Sequence, residues 1–75
     1  MTTGDIVIHI DETLDDHHIH SLEREIGDTR GVQSACMHER TRHLMVVDFD
    51  PMALRPSAIV TSIRDSGLHA QMVGL

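Results

Sequence analysis

Asp11, Glu12, Asp15, Asp16, His17, His18 and His20 all fall between Asp11 and His20, so four carboxylates and three of the seven histidines share one short stretch. Carboxylate oxygen and imidazole nitrogen are ligands for divalent ions of intermediate softness: Zn(II), Ni(II), Co(II) or Cu(II), with water or a partner completing the shell. On a helix, His17 and His20 lie one turn apart and Asp16 lies one turn before His20, so these three project from one surface. A second reading stands beside the first. Acids at a helix start are favoured by the helix dipole, and histidines in a chain without lysine can simply be solvated polar positions.

The remaining reactive residues are more dispersed. Cys36 is the only cysteine, which excludes an intramolecular disulfide and a Cys-x-x-Cys pair. It is expected in the core, where a thiol behaves as a small hydrophobe. His38, His43 and His69 fall on other strands. His9 is expected on the exposed face of the first strand. Met37, Met45, Met52 and Met72 are expected as core filler rather than thioether ligands. No local Ser/His/Asp or Cys/His arrangement and no glycine-rich phosphate loop occurs, so no enzyme is expected.

Composition narrows the partners. Twelve acids against six arginines and no lysine leave a formal charge of −6, and one Phe is the only aromatic among Phe, Tyr and Trp. That combination repels polyanions and offers no stacking platform, so nucleic acid is not an expected partner. No leader pattern and no apolar run of the ~18–20 residues needed to span a bilayer is present, so the expectation is a cytoplasmic domain with no direct membrane insertion. A single domain over residues 1–75 is expected, with a small core of Ile, Val, Leu, Met and Ala.

Elements to position these residues can be read from periodicity. Ile6, Ile8 and Ile10 alternate with Val7 and His9, which predicts a strand over Asp5–Ile10. From about Asp15 the period becomes helical, with Ile19, Leu22 and Ile26 on one stripe, Thr13 or Asp15 as the N-cap and Gly27 at the end. Strands are predicted over Val32–Glu39 and His43–Phe49, joined by a turn at Arg40–Arg42. The parity of the first of these is ambiguous: Val32 and Cys36 share one side, Ala35 and Met37 the other. Asp50-Pro51 stops the third strand, Pro56 opens a second helix carrying Ile59, Val60 and Ile63, Ser66-Gly67 closes it, and Leu68–Val73 is the last strand. The order β-α-β-β-α-β predicts a ferredoxin-like α+β sandwich, a four-stranded antiparallel sheet with two helices on one face.

Gly31-Val32, Val47-x-Phe49-Asp50-Pro51 and Ile59-(x)3-Ile63-(x)3-Gly67, in this order and spacing, make nearly the whole chain resemble the heavy-metal-associated domain family of small copper chaperones and N-terminal modules of metal-transporting P-type ATPases. In that family a Met-x-Cys-x-x-Cys loop between first strand and first helix holds a soft ion. The resemblance implies that Asp15 and His18 occupy the cysteine positions here, in a turn one residue longer, with Leu68 where the family often has Tyr or Lys. With the Cys-x-x-Cys motif absent, the loop has lost the sulfur ligands that Cu(I) selects.

The expectation is therefore a metal-binding or metal-trafficking domain whose site, drawn from Asp15, Asp16, His17, His18 and His20, takes a divalent transition metal. The implied partner is a metal transporter or another protein. The alternative is a metal-free interaction or regulatory module on the same fold, docking through its acidic helix or open sheet face; a pH-responsive element is a third reading.

Overall fold

The computed structural model describes residues 4–74. β1 (Gly4–Ile10) is followed by α1 (Asp16–Gly27), β2 (Val32–Met37), β3 (Leu44–Phe49), α2 (Pro56–Asp65) and β4 (Ala70–Gly74), in the predicted order. The strands form one sheet in the order β2-β3-β1-β4, and all three pairings are antiparallel. This is the ferredoxin-like sandwich that the sequence predicts.

The sheet is built from period-two patterning. Ile6, Ile8 and Ile10 of β1 and Met45, Val47 and Phe49 of β3 turn to one face, where they meet Ile19, Leu22 and Ile26 of α1 and Ile59, Val60 and Ile63 of α2 in a single cluster. Among the described residues the buried set is entirely apolar. Burying a branched side chain of this size contributes roughly 1.5–3 kcal/mol.

β2 resolves the parity that the sequence leaves open. The ladder between β2 and β3 shifts register between Val32 and Ser34. The extra residue lets Val32 lean on the core while Ala35 and Met37 also face inward. Cys36 consequently points outward and is exposed, which corrects the expectation of a core cysteine. The methionines divide likewise: Met37 and Met45 are buried, but Met52 in the turn after β3 and Met72 on the edge strand β4 are exposed and are not core filler.

Several element ends are tighter than predicted. β2 stops at Met37 rather than Glu39, β3 starts at Leu44 rather than His43, and β4 starts at Ala70 rather than Leu68. The released residues make other contacts: His38 Nδ1 accepts from the Arg40 and Thr41 amides in the turn after β2, and the His69 amide donates to Glu12 in the loop before α1.

Candidate functional site

Asp15 sets the geometry of the acidic stretch. Its extended backbone (φ −78°, ψ 173°) makes it the N-cap of α1, the choice that sequence leaves open between Thr13 and Asp15. Its Oδ1 accepts from the His18 amide at 2.8 Å and also meets His18 Nδ1 at 2.7 Å. The amide bond and then the ring contact hold the Asp15 carboxyl below its usual value. An ionised Asp15 makes His18 Nδ1 the donor, so in the neutral ring the lone pair is on Nε2.

The other residues of the stretch do different things. Asp16 forms an ion pair with Arg42, from the turn between β2 and β3. His17 presents a ring edge to His18, with centroids 5.7 Å apart, and His20 is exposed one turn further on. Beside His18, Leu14 and Leu68 line an open hollow of about 150 Å³ together with Ser21, Leu22, Glu25 and Ser66. Among the described residues, no three His, Cys, Asp or Glu side chains are gathered so that they could hold one ion. The first two positions, Asp15 and His18, are brought together; Asp16, His17 and His20 are not joined into one cluster.

The structure adds residues that local sequence does not connect. His69, just before β4, donates its amide to Glu12 Oε1 at 2.8 Å and places Nδ1 2.6 Å from Glu12 Oε2. Those two contacts pull the Glu12 carboxyl down, and the same carboxylate, by hydrogen bond and charge, raises His69. The Asp11 amide also donates to the His69 carbonyl, so the loop before α1 is tied to β4 at three points. His43 Nδ1 lies 2.7 Å from the Ile10 carbonyl, which fixes it as a donor and frees Nε2. His38 is the opposite case: its Nδ1 accepts two backbone amides, leaving the proton on Nε2.

These contacts follow from topology. β1 finishes where β3 and β4 begin, where β2 ends and just before α1 starts. His9, His38, His43 and His69 are at those strand ends and His17, His18 and His20 are in the first two turns of α1, so all seven histidines occupy one pole of the molecule. The sequence groups only His17, His18 and His20 and shows His38, His43 and His69 as scattered over other strands; the prior signal for these three is that each falls near the end of a predicted strand.

No family model and no curated protein matches the chain. Solved structures do. A copper-binding domain of the P-type ATPase HMA7 superposes with a TM-score of 0.83 at 21% identity, covering 93% of this chain and 93% of that one. The N-terminal domain of a potential copper-translocating P-type ATPase from Bacillus subtilis, in its Cu(I)-loaded state, gives 0.85 at 15% identity over 97% and 90%. The apo copper chaperone of Enterococcus hirae gives 0.80 at 19% identity over 91% and 98%. At these identities the likeness is one of fold.

Proposed function

From a fold shared with heavy-metal-associated domains, we propose that this chain binds and passes on a divalent transition metal, using nitrogen and oxygen in place of the family's two thiolates. The observation that carries this reading is the Asp15–His18 pair at the start of α1. A histidine whose second ring nitrogen is held by a carboxylate is the usual form of a metal-bound imidazole, because the carboxylate fixes the ring and raises its basicity. His18 Nε2 is the anchoring donor. Asp16, His17 and His20 are the neighbouring groups from which further ligands are recruited, and water or a transporter domain completes the shell.

The donor set selects the ion. Imidazole and carboxylate suit Zn(II), Ni(II), Co(II) and Cu(II), whereas Cu(I) favours soft sulfur, and Cys36 is on β2 rather than in this loop. The role is carriage in the cytoplasm, with the metal as cargo and no chemical step performed on it. A metal transporter or another protein is the partner. The ion pair of Asp16 with Arg42 favours a second reading, a metal-indifferent interaction module, since it satisfies one candidate ligand with a cation.

Titration with each divalent ion, followed through the histidine ring signals by NMR, tests the proposal. The first equivalent is expected to move His18 with a Kd below ~10 μM, about 7 kcal/mol of binding. Asp15→Asn preserves a good N-cap and is expected to weaken the metal roughly 10–100-fold with little loss of stability. An unaltered affinity in that variant, or a wild-type chain that binds nothing, rejects the loop as the site.

A further inference from the structure

His9 and His43 approach each other at the end of the β1–β3 ladder, on elements other than the α1 turn just described. Their rings lie 5.8 Å apart, centre to centre, with planes 18° from parallel. Two imidazoles that share one ion at metal–nitrogen distances of about 2.0–2.1 Å hold their ring centres roughly 5–6 Å apart. The observed separation is in that range; the rings are stacked, so one of them must turn out of the stack to bring both in-plane lone pairs to one ion.

The second ring nitrogens of the pair differ. His43 is held through Nδ1 by the Ile10 carbonyl, as above, so its Nε2 is a free lone pair. His9 Nδ1 is shut off from solvent and makes no hydrogen bond, although Asp11 Oδ1 stands only 3.1 Å from it. A buried polar atom without a partner is costly. Turning the His9 ring out of the stack, with an Nδ1–H donation to Asp11, would orient Nε2 as Asp15 orients His18. The side chain is 37% exposed, so solvent and ions reach the remainder of the ring.

We propose that His9 and His43 form a second station for a divalent transition metal, a two-imidazole chelate across adjacent strands, with the Ile10 carbonyl and Asp11 carboxylate as outer partners and water filling the shell. The proposal shares with the loop reading only the class of ion; its ligands are different residues on different elements. An ion held by two imidazoles and water is released readily, which suits a position next to a carrier site. His38 has no place in the station, because its Nδ1 is committed as an acceptor.

The test separates the two sites. In Asp15→Asn/His18→Gln, Zn(II) is expected to shift the ring signals of His9 and His43 together, with one shared Kd. Adding His9→Gln is expected to weaken the His43 response at least tenfold, and His43→Gln to do the same to His9. An unchanged response of the surviving histidine overturns the station. A measurement without substitutions guards against a misfolded variant: Co(II) is added to the original chain and pseudocontact shifts locate each ion. One ion centred between the His9 and His43 rings supports the proposal, and none there defeats it. If the loop binds nothing while this pair responds, the loop reading fails and the station stands.

Discussion

A histidine's value as a ligand is decided by what its other nitrogen does. His18, His43 and His69 each turn Nδ1 to an oxygen, of Asp15, Ile10 and Glu12 respectively, while His38 Nδ1 receives amide protons. In the neutral ring the first three therefore carry the lone pair on Nε2, and His38 carries it on Nδ1. The Glu12–His69 pair also makes stability depend on pH. His69 is raised above its usual value near 6.5, so its contribution is complete below about pH 6.5 and is lost as pH rises through the raised value. Glu12 is lowered from 4.5, so its contribution is present above that pH and lost as pH falls through the lowered value. Both act together between about pH 4.5 and 6.5. His69→Gln is therefore expected to depress Tm most near pH 5.5 and progressively less toward pH 8; a deficit constant over that range would show that the ion pair is not its source.

The elements are held in place by polar contacts at their margins as well as by the core. Glu23 of α1 reaches across to accept the Met37 amide at 2.8 Å, satisfying a donor on the outer edge of β2 and fixing the helix over that strand. Two glycines make the connections possible. Gly31 has φ +97° before β2, and a Cβ there would come within 3.0 Å of Leu54 Cβ; Gly67 has φ +92° after α2 with nothing within 4 Å. Gly67→Ala is expected to cost only the left-handed penalty, about 1–2 kcal/mol, whereas Gly31→Ala adds the collision and costs more. Urea unfolding of the two variants checks the ranking, and equal losses would refute the steric part. The interior tolerates little change either: Ile63 is completely buried between α2 and the sheet.

Taken whole, the molecule concentrates its histidines at one pole, and a metal bound there should register as stability of the entire fold. Zn(II) at about 100 times its Kd is expected to stabilise the native state by roughly 2.7 kcal/mol, seen as a rise in Tm that a chelator reverses. A Tm indifferent to Zn(II) would favour the metal-free module. The sequence by itself determined the element order and most of the core, because Ile6-Ile8-Ile10 and Ile19-Leu22-Ile26 state their periods within a few residues and each period admits one buried side. It also determined that the acidic stretch opens a helix. It misplaced Cys36 in the core, since a bulge two residues upstream sets the parity and has no local signature. Nor could it join Glu12 to His69 or His9 to His43, which lie far apart along the chain and meet only because antiparallel pairing brings the ends of four strands to one edge. Tertiary structure alone decided the neighbours of His9, His43 and His69, because contacts between strand ends depend on strand order and register, and those are set by burial of the whole sheet rather than by residues near the site.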